Sequence, residues 1–248
     1  MSEERPINTG KVDVARRYLD RNKVFFETLA ASLLSLMAII VSVVQIGLAI
    51  KQNKLTQTQT EIARTQALPQ FVVNLKQIYD PMAEKYTEDQ IVATNQGGLV
   101  QELDCNFVVF IDTGYLVHAD SRQKLLPLDG YYNGIFLTGE GSGKVVTIKG
   151  INNTEKFSQL ASQISEVAQA KGVICTVELK RYIRLRYRDV FGEKHVKYYY
   201  VPPIFGGNVL DEPEGKSLFD KYEQGFTDSS ILKFESLNAQ TIIGRMEQ

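Results

Sequence analysis

The residues best placed to do chemistry are a set of cations that alternate along one segment. In TVELKRYIRLRYR, residues 176–188, Lys180, Tyr182, Arg184, Arg186 and Arg188 fall on one face, and Val177, Leu179, Ile183, Leu185 and Tyr187 fall on the other. That period of two is expected of a half-exposed antiparallel strand. Lys194 and Lys197, with Tyr198, Tyr199 and Tyr200, follow the turn Asp189-Val190-Phe191-Gly192. Guanidinium groups grip phosphates bidentately, and tyrosine rings stack on bases or settle at headgroup level. The face therefore suits a partner protein or anionic lipid headgroups or, alternatively, nucleic acid or a nucleotide. The plainer reading is a solvated strand whose cations pair with Glu178, Glu193 and other acids, and whose lysines discourage edge-to-edge aggregation.

The remaining chemistry-bearing residues are sparse. Gly139-Glu140-Gly141-Ser142-Gly143-Lys144 resembles a phosphate-binding loop in composition alone. Such a loop needs four residues between Gly and Gly-Lys, then Ser or Thr, then a helix. Here there are three, Val145 follows, and a strand comes next, so the segment reads as a hairpin turn. His118, near Asp120, and His195, after Lys194, are the only histidines, and neither stands in a catalytic frame. Asp211, Glu212 and Glu214 cluster in a Pro/Gly-rich stretch that reads as a solvated loop. No catalytic residue, cofactor or metal site is expected. The two cysteines, Cys105 and Cys175, form no CxxC, which excludes a disulfide scaffold and a four-cysteine zinc site. Each lies on the apolar face of a predicted strand, where a buried thiol and an inter-sheet disulfide are both open.

The elements that must position these residues begin after Pro69, where the apolar period changes from 3.6 to 2. Strands are predicted at 70–78, 90–95, 103–112, 134–137, 145–149, 173–188 and 194–201, with turn signals such as Asn95-Gln96-Gly97-Gly98 between them. One helix, 154–171, is expected from Phe157, Leu160, Ala161, Ile164, Val167 and Ala168 on one face, with a cap at Asn152–Glu155 and Gly172 closing it. The expectation for 69–205 is a mainly-β antiparallel sandwich with that helix inserted. Residues 206–248 read as irregular, with a short helix near 217–222 and a mobile end.

Upstream, LAASLLSLMAIIVSVVQIGLAI, residues 29–50, carries 22 residues without a charge. At about 1.5 Å per residue such a helix crosses a hydrocarbon layer of roughly 30 Å. It is longer than the core of a cleaved leader and lacks an Ala-x-Ala site. The expected order is an N-terminal segment at 1–24, a single membrane helix at 25–50, and a polar helical stalk at 51–68 that stops at Pro69. Thr28, Ala31, Ser35, Ala38, Ser42, Gln45 and Ala49 form one small or polar stripe at 3-4 spacing. In lipid, helices associate through close backbone approach and hydrogen bonds, so the stripe predicts pairing with another copy or with a membrane partner protein. Within about 20 residues of the span, five cations precede it (Lys11, Arg16, Arg17, Arg21, Lys23) and three follow it (Lys51, Lys54, Arg64), a bias towards an internal N-terminus. A net charge of -1 over 248 residues argues against a dedicated nucleic-acid binder.

The segments IVATNQGGLVQELDCNFVVFID, LTGEGSGKVVTI and LRYRDVFGEKHVKYYY resemble the "strand, N-x-G, strand" opening, the "x-G-E-x" turn and the "Y-x-D-x-x-G" hairpin of immunoglobulin-like domains in bacterial single-pass membrane proteins. The resemblance covers residues 71–201 outside the helix. It implies an inner-membrane protein with a cytoplasmic domain, opposite to the charge bias, and some such proteins sit beside antiviral or stress systems. It implies no catalytic residues. The expected function is that of a non-enzymatic, membrane-anchored binding or effector module. The alternatives are a sensor of nucleic acid or nucleotide through the basic face and, less favoured, an enzyme on a sandwich scaffold.

Overall fold

The computed structural model of the chain describes residues 9–117, 120–138, 141–204 and 206–247. His118 and the first two residues of the glycine loop, Gly139 and Glu140, lie outside them, as do residues 1–8 of the N-terminal segment. The chain divides into two compact units, Met1–Ala63 and Arg64–Gln248.

The first unit is helical. Helix α1 spans Thr9–Arg21, and α2 spans Lys23–Ala67, running without a break from the apolar stretch through the polar stretch that follows it. No residue of α2 is buried against the rest of the chain. Leu33, Leu34, Met37, Ile40, Val43, Val44 and Ile46 are each at least half exposed. The helix is long and apolar enough to cross a membrane. Along the small-residue stripe, the Ser35 and Ser42 hydroxyls donate to the carbonyls of Ala31 and Ala38, one turn back, at 2.9 and 2.8 Å. Such back-bonding satisfies a hydroxyl where water is absent.

The second unit is mainly β. One sheet has strand order β1 (Phe71–Asp80), β2 (Lys85–Asn95), β6 (Gly143–Ile151), β5 (Gly134–Leu137), all antiparallel. The other runs β10 (Leu232–Lys233), β4 (Asp120–Asp129), β3 (Gln101–Val117), β7 (Ile174–Arg188), β8 (Lys194–Val201), β9 (Asn208–Leu210), antiparallel except for the β10–β4 pair. One core draws on both sheets, with Ile91, Val146 and Ile148 from the first and Val109, Ile111, Ile183 and Leu185 from the second. Helix α3 (Asn153–Ala170) adds Leu160, Ile164 and Ala168 to that core. It closes at Gly172, whose φ of +70° suits a residue without a β-carbon.

The C-terminal segment is ordered rather than irregular. It holds β9, helix α4 (Glu212–Thr227), β10 and helix α5 (Ala239–Glu247). Pro213 stands in the first turn of α4, where a missing N–H costs nothing and the ring angle suits a helix start; it begins the helix instead of breaking it. Ile242, Ile243 and Met246 of α5 are almost wholly inside the core, so the chain end is tied down. Strand β4, unforeseen in the sequence, contains Pro127 opposite Phe110. Only the two residues of β10 pair on its outer side, beginning at Leu128, and proline is tolerated at such an edge.

The Asn95-Gln96-Gly97-Gly98 turn packs closely on residues 67–70, where Gly98 N–H donates to the Leu68 carbonyl at 3.1 Å. Asn95 is 1 % exposed. Its Oδ1 accepts from Gln70 N–H and Gly97 N–H at 3.0 and 3.1 Å, and its Nδ2 donates to the carbonyls of Gly98 and Gly141 at 2.7 and 2.8 Å. A β-carbon on Gly97 or Gly98 would stand 2.2 Å from the Leu68 oxygen or 1.8 Å from the Ala67 oxygen.

Candidate functional site

Strand β7 lies between β3 and β8, which sets what its two faces meet. On the face with Lys180, Tyr182, Arg184, Arg186 and Arg188, partners come from the chain itself. Lys180 Nζ is 2.9 Å from Glu178, 3.8 Å from Asp112 and 5.5 Å from the centre of the Tyr200 ring. Arg184 donates to Asn106 Oδ1 at 3.0 Å and its guanidinium lies 4.6 Å above the Phe219 ring of α4. Arg186 pairs with Asp104 and also donates to Asn106, at 3.0 Å. Arg188 reaches Glu102 at 3.1 Å. Helix α4 covers part of this face, packing Phe219 on Tyr198 and Tyr222 on Phe110, and Phe110 also meets Tyr182. Burial along the strand still alternates as its sequence suggested: Leu179, Ile183, Leu185 and Tyr187 are buried, while Lys180, Tyr182, Arg184 and Arg188 are partly covered and Arg186 is exposed.

Register also divides the residues of β8. Lys194 stands opposite Arg188 and belongs to the basic face, whereas Lys197 stands opposite Leu185 and Tyr199 opposite Ile183. Residues paired across antiparallel strands share a face, so Lys197 and Tyr199 belong to the other side, and Tyr199 is 4 % exposed in the core. The cations do not form one continuous surface with Lys197.

The opposite face of β7 holds a charge that the sequence reading passed over. Arg181 interrupts the apolar series Val177, Leu179, Ile183, Leu185 and is 7 % exposed. Its Nη2 is 3.1 Å from Asp89 Oδ2 on β2, its Nε donates to the Tyr132 hydroxyl at 2.9 Å, and its Nη1 donates to the Leu179 carbonyl at 3.2 Å. The Tyr131 and Tyr132 hydroxyls both donate to Asp89 Oδ2 at 3.2 Å. Asp89 Oδ1 is buried without a hydrogen-bond partner, and a β-carbon on Gly150 would lie 2.6 Å from it. Burial pushes the Asp89 carboxyl above the usual carboxylate range, outweighing the attraction of Arg181 and the hydrogen bonds from Tyr131, Arg181 and Tyr132. The ion pair joins the two sheets through the core. Its signal in the sequence was a lone cation on the apolar parity of a strand, with an acid on another strand.

The β7–β8 hairpin carries a second cluster. Asp189 Oδ1 accepts the backbone N–H groups of Phe191 and Glu193 at 2.8 and 3.0 Å, and Oδ2 lies 2.8 Å from His195 Nε2. Burial raises the Asp189 carboxyl, but the bond to His195 and the two backbone donors prevail and hold it below its ordinary value. Tyr187 stacks on the His195 ring at 5.2 Å. Asp189, Glu193 and His195 offer ligand atoms within 4.8 Å of one another. The Asp189 oxygens are taken by the turn, however, and Glu193 Oε1 is 2.6 Å from Arg64 Nη2. The cluster works as a lock on the hairpin.

Cys105 and Cys175 are free and buried. They lie on adjacent strands of the same sheet, Cys105 opposite Leu185 and Cys175 opposite Tyr115. Ten residues of β7 separate Cys175 from Leu185, roughly 33 Å of extended chain, so the inter-sheet disulfide is excluded. Burial, with Asp104 adding to it, pushes the Cys105 thiol up to about 12. A cleft of about 190 Å³ beside the hairpin is lined by Glu102, Arg186, Tyr187, Lys194, His195 and Val196. It meets the basic face at Arg186 and Lys194, a second cleft meets it at Lys180 and Tyr182, and Asp211, Glu212 and Glu214 lie elsewhere, at the start of α4. Comparison with known proteins gives no matching family model, no matching curated protein and no matching solved structure.

Proposed function

We propose that this chain is a single-pass membrane protein whose immunoglobulin-like β-sandwich serves as a non-enzymatic binding or effector module, and whose α2 helix associates laterally in the bilayer. One observation carries the reading: the charge-free run of α2 is exposed on every side. A charge-free, mainly apolar helix of this length needs a hydrophobic surrounding, and none of its residues is buried among the described residues. The two-sheet core and the N-x-G and Y-x-D-x-x-G turns support the immunoglobulin-like assignment through the resemblance given above.

The polar clusters around Arg181 and Asp189 each have a structural job, joining the sheets and holding the hairpin, which supports a binding role. Binding of nucleic acid through Lys180, Arg184, Arg186 and Arg188 has less support, because a phosphate would have to displace Glu178, Asn106, Asp104 and Glu102 from them. Lys194 and the cleft beside His195 leave room for a protein partner or an anionic headgroup.

Extraction tests the anchor. The full chain is expected to stay with membranes after alkaline carbonate washing, and Ile40→Lys/Val44→Lys to be released. Each lysine at a helix centre costs about 2.5–3.5 kcal/mol of insertion free energy. Release of the unaltered chain by carbonate would remove the reading.

A further inference from the structure

We propose that α1 is an interfacial helix that lies on a surface of anionic phospholipid, its apolar face at the acyl boundary and its arginines on the phosphates. The proposal rests on the membrane-anchor reading of α2 and extends it to the part of the chain outside the span.

The observations come from α1 and the joint behind it. On a helical projection of α1, Val12, Ala15 and Leu19 fall together, with Val14 and Tyr18 extending the arc on one side. Val12, Val14, Tyr18 and Leu19 are between 54 % and 69 % exposed, so among the described residues nothing covers that arc. Within α1, Arg16, Arg17 and Arg21 occupy the other side with Asp13 and Asp20, and Lys11, in the first turn, falls by position on the apolar side. A short helix with an aromatic and aliphatic face and a cationic face is the form that lies in a membrane interface.

Charge selects the kind of lipid. From Thr9 to Thr28 there are five cations against three acids, and cations next to a span are drawn to a negatively charged leaflet. Tyr18 and Phe25 are placed where interfacial aromatic rings gather. Helices α1 and α2 meet at a one-residue joint, across which the backbone bonds from Asn22 N–H to Tyr18 and from Phe26 N–H to Asn22 continue. Helical structure is interrupted at Asn22 alone, whose backbone N–H and Nδ2 both donate to the Tyr18 carbonyl, at 3.1 and 3.0 Å. Side chains that compete for backbone carbonyls in this way favour bends.

The chain contains no tryptophan, so one introduced indole reports one site. Tyr18→Trp and Met37→Trp would each be made in the full chain. Each variant is then reconstituted into vesicles of phosphatidylcholine alone, or of an equimolar mixture with phosphatidylglycerol. The expected result for Tyr18→Trp is blue-shifted emission, quenching by lipid brominated near the headgroup, and a several-fold loss of acrylamide quenching in the anionic vesicles relative to the neutral ones. Adding Arg16→Glu/Arg17→Glu, or high salt, should abolish that difference. Equal acrylamide access in both vesicles would overturn the proposal, as would protection without quenching by brominated lipid, which would mean packing against protein. Met37→Trp separates the two readings. If it is quenched by deeply brominated lipid while Tyr18→Trp stays wet, the anchor stands and the interfacial helix falls. If Met37→Trp is itself open to acrylamide, both fall.

Discussion

Arg181 is the residue on which the two sheets depend most visibly. A buried ion pair contributes little net stability when intact, yet removing one partner strands the other in a low-dielectric interior. Arg181→Met is therefore expected to destabilise the protein by about 3–5 kcal/mol at neutral pH, read from thermal unfolding in detergent. The loss should shrink as pH falls. The Asp89 carboxyl is already raised above its unfolded value by burial, and without the guanidinium it would rise further. A group of that sign favours the fold below its unfolded pKa, near 3.9, and loses that contribution as pH climbs through the folded value. Asp89→Asn/Arg181→Met should lose less than the single substitution, because an amide still accepts from Tyr131 and Tyr132. A constant loss across pH would mean that Asp89 carries no charge in the fold. The sequence held half of this: an arginine among Leu179, Ile183 and Leu185 is conspicuous, but nothing local says that Asp89, 92 positions away, would meet it.

At the scale of elements, strands announced by alternation were legible, because burial of one face enforces a period of two. β7, β8 and β6 fall where their sequences suggested. β4 was not legible, since Asp-Ser-Arg-Gln-Lys is polar throughout and its order comes from pairing with β3. Nor was it legible that α4 would cover the basic face, for a strand's alternation shows that two faces differ and not what lies over each. The small-residue stripe of α2 is legible but untested by anything in the chain itself, as the Ser35 and Ser42 hydroxyls are satisfied within their own helix. If the stripe brings helices together, leucine there will hold the backbones apart. Ser35→Leu/Ser42→Leu should reduce the crosslinked dimer in membranes, and an unchanged oligomer distribution would remove lateral association through this face.

Over the whole molecule, the ends of the two sheets are treated differently. β9 and β10 are only three and two residues long. β1 is bridged by Gly206, paired with Asn74, and Gly207 N–H donates to the Val73 carbonyl at 2.6 Å. Short or covered edges resist pairing with other chains. β5 is the exception, with Ile135, Phe136 and Leu137 at 44 %, 51 % and 51 % exposure and no lysine or proline among its four residues. Phe136→Lys is expected to raise the concentration at which the detergent-solubilised protein stays monodisperse, as read by light scattering. No change would show that β5 is not the adhesive edge.

The Gly97-Gly98 pair under the end of the long helix has an evolutionary corollary. Any other amino acid would drive a carbon into the carbonyls of Ala67 and Leu68, so these two positions have almost no freedom to drift while surrounding loops do. Distant kin of this chain, too diverged to be recognised by overall likeness, should still carry Asn-x-Gly-Gly at the close of the second strand after their long helix, and that short signature is where a search for them can begin.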